Sequence, residues 1–306
     1  GDGRSDFLWT RMGASFVTAY LTVPNTPIPT RIAGVLTGPD GSIKTRLTFP
    51  LRVIPPATEQ VRNLRPAVAS NGNGFLVVYE ANTTTAANPR ETFVVMEGFD
   101  SAGASSGNSV RSVGAIARFE DHALDNDLIW MGDRYRMTLK GRGLADIFIG
   151  DFNPNATMFP AGFVALANDG LITTAASKID TTPNLAWDPT TGRWTMTYIR
   201  GTSDTPVTVH INRYPSVAST AADQDLIFSS AYERVNLAWH PQSRGWLFQG
   251  QLTDNRQVFG ALAADLTSLT GDPATSTQIG WSAADVPSNA LACPVMSSLP
   301  VLDLRF

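Results

Sequence analysis

Cysteine is almost absent from this chain. Cys293 stands alone, so no disulfide can close within the sequence. Its neighbours Leu291, Ala292, Pro294 and Val295 are apolar, the setting of a small buried thiol rather than a reactive one. Charge is scarce as well. Charged residues make up 16% of the chain, the net charge is -4 and no basic run occurs, which argues against nucleic acid or an anionic membrane as partner. No apolar run approaches the roughly 18 residues that a membrane-spanning helix needs. Nor does any stretch of about ten residues carry the i, i+3, i+4, i+7 stripe of an amphipathic helix.

Several catalytic signatures are missing too. His122, His210 and His240 show no zinc-ligand spacing, and no cysteine pair exists to assist them. There is no Walker phosphate loop and no dinucleotide-binding glycine fingerprint on a strand–helix turn. Gly103-Ala104-Ser105-Ser106-Gly107 matches a nucleophile elbow in letters, but its polar surroundings predict a hairpin loop instead of the strand-to-helix turn an elbow requires. Asn82-Thr83-Thr84 and Asn155-Ala156-Thr157 fit the N-glycosylation acceptor pattern, which has meaning only in a eukaryotic secretory pathway.

What the sequence does contain is a repeat. Asn236-Leu237-Ala238-Trp239-His240-Pro241, followed by Arg244-Gly245-Trp246-Leu247-Phe248, nearly copies Asn184-Leu185-Ala186-Trp187-Asp188-Pro189, followed by Gly192-Arg193-Trp194-Thr195-Met196. Both predict a short buried strand, a polar turn and a second strand opening on Trp. Looser copies start at Asp6, Pro66, Asp127 and Pro294, giving a period of roughly 52–61 residues. Second strands are expected at Phe16 to Leu21, Phe75 to Tyr79, Tyr135 to Leu139, Trp194 to Ile199, Trp246 to Gln251 and Val301 to Phe306. Third strands follow at Arg31 to Leu36, Thr92 to Met96, Ile147 to Asp151, Val207 to Asn212 and Val258 to Ala263. Fourth strands are more variable, for instance Lys44 to Phe49 and Val110 to Ala117.

Four short strands per repeat predict an all-β chain folded as a β-propeller of four-stranded blades. A two-sheet sandwich would explain short strands but not the repetition. The blades are expected at about 1–62, 63–122, 123–181, 182–233 and 234–290, with a partial closing blade at 291–306; a six-bladed ring is the alternative. The period exceeds the usual propeller range of ~40–50 residues, which points to loops such as Ala81 to Arg90 and Asn153 to Gly162. With 43% hydrophobic residues in 306, the chain can fill a sizeable core.

Arg65-Pro66-Ala67-Val68-Ala69-Ser70-Asn71-Gly72-Asn73-Gly74-Phe75-Leu76-Val77-Val78-Tyr79 resembles the β-propeller repeats of exported bacterial proteins. That resemblance implies the propeller fold and export, and low charge with abundant Thr, Ser and Asn suits an extracellular or surface location. Gly1-Asp2-Gly3 lacks an initiator Met and reads as a processed or trimmed end. Gly1-Asp2-Gly3-Arg4-Ser5-Asp6-Phe7-Leu8-Trp9 resembles the second half of an FG-GAP-type repeat, which implies Ca²⁺ held by Asp2 and Asp6. The preceding acidic half is missing and Arg4 stands where a ligand would help, so the residues themselves read as a solvated turn that calls for no cofactor. Gly150-Asp151-Phe152-Asn153 resembles the first half of such a loop, broken by Pro154-Asn155.

Asp125-Asn126-Asp127-Leu128-Ile129-Trp130-Met131-Gly132-Asp133-Arg134-Tyr135 is similar to the acidic-strand, turn and Tyr pattern of five-bladed arabinanase-like glycosidases. The resemblance implies catalytic carboxylates at the starts of innermost strands, where Asp6, Asp127 and Glu233 fall, with Asp125 as a ligand contact or substitute. Glycoside hydrolysis needs an acid and a second carboxylate across one open pocket. Acids at strand starts also cap turns, which is the competing account. The recurring Trp residues read as core between sheets, while Trp281, outside the strand pattern, is a surface candidate for a sugar or protein. Together these readings predict a non-catalytic binding or assembly module for a glycan or protein, with a glycoside hydrolase as alternative. A structural subunit docking through the incomplete last blade is the third reading.

Overall fold

The computed structural model describes residues 7–12, 15–22, 31–37, 42–49, 59–84, 91–112, 127–140, 147–166, 178–202, 206–228, 232–240, 244–252 and 257–266. Every element among them is a β-strand, so the chain is all-β as the short-strand repeat predicts. No helix among the described residues is long and apolar enough to cross a membrane.

The strands form antiparallel sheets that follow chain order, each a simple up-and-down meander. They divide between two compact units that meet in the sequence near Ile147 and Ala165. In the first unit, β1 (Phe7–Met12), β2 (Ser15–Thr22), β3 (Arg31–Thr37) and β4 (Ile43–Thr48) make one sheet. A second comprises β5 (Glu59–Ser70), β6 (Gly74–Thr84), β7 (Glu91–Asp100) and β8 (Ser105–Ser112). The third comprises β9 (Asp127–Trp130), β10 (Tyr135–Lys140), β11 (Ile147–Phe152) and β12 (Met158–Ala165). The second unit has β13 (Lys178–Asp188), β14 (Arg193–Thr202), β15 (Pro206–Tyr214) and β16 (Gln224–Phe228). A three-stranded sheet follows with β17 (Tyr232–His240), β18 (Gly245–Leu252) and β19 (Gln257–Ala263). The expected closing segment, 291–306, lies outside the described residues.

First strands lie against first strands. Within the first unit β5 contacts both β1 and β9, and within the second β13 contacts β17. A sheet packed on both faces must be apolar on both, so its central strands read as continuous hydrophobic runs rather than alternating ones. Leu76, Val77, Val78 and Tyr79 of β6 are all fully buried, as are Val94, Val95 and Met96 of β7. Phe49 sits edge-on to Tyr79 and Phe99, at 5.8 and 5.7 Å between ring centres, and Phe75 stacks on Phe99 at 4.9 Å. In the second unit Ala186, Val209 and Ile211 pack against Leu237, Trp239, Trp246 and Phe248.

The repeated hairpin is locked differently in two of its copies. Asn71 accepts the Asn73 and Gly74 amides on Oδ1, at 2.9 and 2.8 Å, around Gly72 at φ 88°, a conformation that costs glycine nothing. Asp188 instead accepts the Thr190 amide at 2.8 Å and the hydroxyls of Thr190 and Thr191. Across the hairpin necks, Trp130 pairs with Tyr135, Trp187 with Trp194 and Trp239 with Trp246. Trp194, Trp239 and Trp246 are buried core, as the repeat predicts, while Trp130 and Trp187 are only half-buried.

Three local expectations need correction. β6 extends to Thr84 and β12 begins at Met158, so the loops expected at 81–90 and 153–162 are shorter than the sequence suggested. β8 starts at Ser105 rather than Val110, so Ser105 to Gly107 belong to a strand and only Asp100 to Ala104 form the hairpin turn. The reason is a close backbone approach. A Cβ on Gly107 would stand 2.4 Å from the Asn155 carbonyl oxygen, so glycine here admits the neighbouring turn and does not mark a loop.

Candidate functional site

Asp127 is the first residue of β9, half-buried, with its amide donating to Thr138 Oγ1 at 3.2 Å. Its Oδ1 accepts the Leu128 amide at 2.9 Å. Glu233 lies in β17 at the register shift between Tyr232 and Arg234, a position of locally irregular pairing. Asp127 belongs to the first unit and Glu233 to the second. Asp2, Asp6, Asp125 and Trp281, the remaining candidates, lie outside the described residues. No group of three or more His, Cys, Asp or Glu side chains that could hold a metal occurs among the described residues.

The ionisable groups that the fold does bring together are not the ones the sequence analysis named as catalytic. Arg136 is almost fully buried on β10 and makes a two-pronged ion pair with Asp151 of β11, Nε to Oδ1 at 2.7 Å and Nη2 to Oδ2 at 2.8 Å. Arg134 reaches the same carboxylate at 3.4 Å, pairs with Asp133 at 2.7 Å and lies 4.8 Å over the Phe159 ring. The hydrogen bond from Arg134 holds the Asp133 carboxyl below its usual range against the opposing cost of burial, and Asp133 in turn raises Arg134. Asp151, read in sequence as part of a calcium-type loop, is thus an arginine clamp.

Tyr79 and Glu97 form a buried pair, hydroxyl to Oε1 at 2.8 Å, beneath Phe49. In the second unit His210 contacts Asp225 through Nδ1 and Thr208 through Nε2. The spacing Thr208-x-His210 could have signalled a shared strand face; the carboxylate fifteen residues on could not have been assigned without the pairing of β15 with β16.

No protein-family profile matches the chain, and no curated protein matches it in sequence. Solved structures do. The Hadza microbial sialidase Hz136 superposes with a TM-score of 0.52 at 9% identity, covering 87% of this chain and 56% of that one. A Trypanosoma rangeli sialidase in complex with the inhibitor DANA gives 0.48 at 11% identity, over 83% of this chain and 46% of that one. A GH43 β-1,3-galactosidase with galactodeoxynojirimycin gives 0.48 at 10%, over 84% and 89%. The chain thus spans less than half the length of the Trypanosoma enzyme. The likeness to Hz136 shows the fold, a β-propeller built from four-stranded sheets, and at 9% identity it shows the fold alone.

Proposed function

We propose that the chain is a non-catalytic, exported or surface-displayed β-propeller module that binds a glycan or a protein partner through its strand-end loops. The observation that carries this reading is the fate of four of the described carboxylates in the sheets. Glu97 is taken up by Tyr79, Asp151 by Arg136, Asp188 by Thr190 and Thr191, and Asp127 caps its neighbouring amide. Glycoside hydrolysis asks for two carboxyl groups open to one substrate, and these four are bonded into the framework. Loops on a rigid β scaffold are the usual bearers of recognition.

The second reading is a glycoside hydrolase using Asp6, Asp127 and Glu233. It is favoured by the placement of Asp127 and Glu233 on the first strands of their sheets and by a fold shared with a sialidase. One experiment separates the two. The protein is screened on a glycan array and incubated with a polysaccharide and sialoglycan panel, alongside Asp127→Asn and Glu233→Gln. Binding without sugar release supports the module; sugar release abolished by either substitution overturns it in favour of the hydrolase.

A further inference from the structure

We propose that Thr208, His210 and Asp225 form a hydroxyl–imidazole–carboxylate relay that makes Thr208 a nucleophile toward small acyl esters. This activity is directed at esters and is separate from the binding role proposed above, which is non-catalytic toward glycans. Thr208 and His210 are two residues apart on β15 and so share one face of the sheet. Asp225 comes from β16, where its Cα partner is Asn212 and that of His210 is Ile227, which places the carboxylate diagonally across from the imidazole.

The distances complete the chain. Asp225 Oδ2 and Oδ1 lie 3.1 and 3.2 Å from His210 Nδ1, and Thr208 Oγ1 lies 3.0 Å from Nε2. A carboxylate on Nδ1 fixes the tautomer that keeps its proton there, leaving the Nε2 lone pair facing the threonine hydroxyl. The ring is held flat against Tyr198, 5.1 Å between centres and 13° from parallel, and Asn212 Nδ2 donates to the Tyr198 hydroxyl at 3.3 Å. His210 is 5% exposed, whereas Thr208 is half-buried and the Asp225 side chain is 41% exposed. The base is therefore shielded and the nucleophile partly open to solvent.

In the reaction, Thr208 Oγ1 attacks the ester carbonyl carbon while its proton passes to His210 Nε2. The tetrahedral intermediate collapses, the bond to the alcohol oxygen breaks, and the imidazolium returns the proton to the departing alkoxide. The acyl-Thr208 ester is then attacked by water that gives a proton to Nε2, releasing the carboxylic acid and restoring the hydroxyl. The net change is ester plus water to acid plus alcohol. Thr208 attacks from a secondary carbon in a half-buried position, which limits the acyl group to acetyl or one of similar size.

The test uses 4-nitrophenyl acetate with the full chain. We expect 4-nitrophenolate release and an acetyl adduct on the Thr208 peptide in folded but not urea-unfolded protein. Thr208→Val should abolish the adduct, Thr208→Ser should acetylate faster than the parent because its hydroxyl is primary, and Asp225→Asn should slow acetylation by roughly 10²-fold or more. A histidine bonded only for structure predicts none of these. Acetylation confined to other residues, or unchanged in Thr208→Val, overturns the proposal. Should Thr208→Val lose its fold by circular dichroism, equal rates for the parent, Thr208→Ser and Asp225→Asn overturn it as well.

Discussion

Asn184 Oδ1 accepts the backbone amide of Leu237 at 2.7 Å, tying the first strand of one sheet to the first strand of the next within the second unit. Asn184 opens one copy of the Asn-Leu-Ala-Trp repeat and Leu237 is the second residue of the other. Asn184 thereby supplies an acceptor to a backbone donor of the neighbouring sheet, so part of the repeat serves packing between sheets rather than recognition.

Replacing Asn184 by Ala should cost about 1–3 kcal/mol, because it leaves a part-buried amide without its partner. Asn184→Asp, which keeps the acceptor, should cost less. Urea denaturation midpoints of the three proteins check the order.

The Arg136–Asp151 pair predicts a larger effect. Asp151→Asn leaves Arg136 buried without a matched charge and should destabilise by about 3–5 kcal/mol. Asp133→Asn, at a carboxylate 60% exposed, should cost less than about 1 kcal/mol after solvent screening. Because the Asp133 carboxyl is lowered by Arg134, its small contribution is present above the ordinary aspartate range and disappears as pH falls through the folded value. Thermal melts of the three proteins from neutral pH down into the acid range report both effects.

Tyr135 gives a signature in base. Its hydroxyl is buried near the Asn71 backbone without a well-formed hydrogen bond, and burial pushes the phenol above its ordinary value. The folded chain holds this proton after the unfolded chain has lost it, so stability is unaffected below about pH 10 and falls as pH rises beyond that, by up to about 1.4 kcal/mol per pH unit. Tyr135→Phe keeps the ring contact with Trp130, at 4.8 Å, and removes the ionisable group. It should change neutral stability by less than about 1 kcal/mol and flatten the alkaline decline, read from melting temperatures above pH 10.

Gly107 and Gly98 both meet the turn around Asn155. Added Cβ atoms would lie 2.4 Å from the Asn155 carbonyl oxygen and 2.8 Å from that of Pro154, both backbone atoms that cannot swing aside. Gly107→Ala should therefore cost about 1–3 kcal/mol or more, while Ser109→Ala should cost about 1 kcal/mol for its bond to the Ala156 carbonyl. Chemical denaturation of the two variants distinguishes steric from hydrogen-bond loss.

The sequence by itself determined the all-β class, the repeat and the hairpins, because these rest on local facts. Asn71-Gly72 closes its turn within four residues, and Trp239 faces Trp246 once the hairpin register is set. The tertiary structure decided what each polar side chain does. Asp151 looks like a calcium-loop residue in sequence and becomes the partner of Arg136 only when β10 and β11 align. His210 looks isolated until β16 brings Asp225 to its ring. Ser105 reads as loop until the Asn155 turn presses on Gly107 and lets the strand run through. Turn chemistry and side-chain alternation act over a few residues, whereas hydrogen-bond partners inside a sheet are chosen by strands far apart in the chain. That choice is made by packing, and no single stretch of sequence contains it.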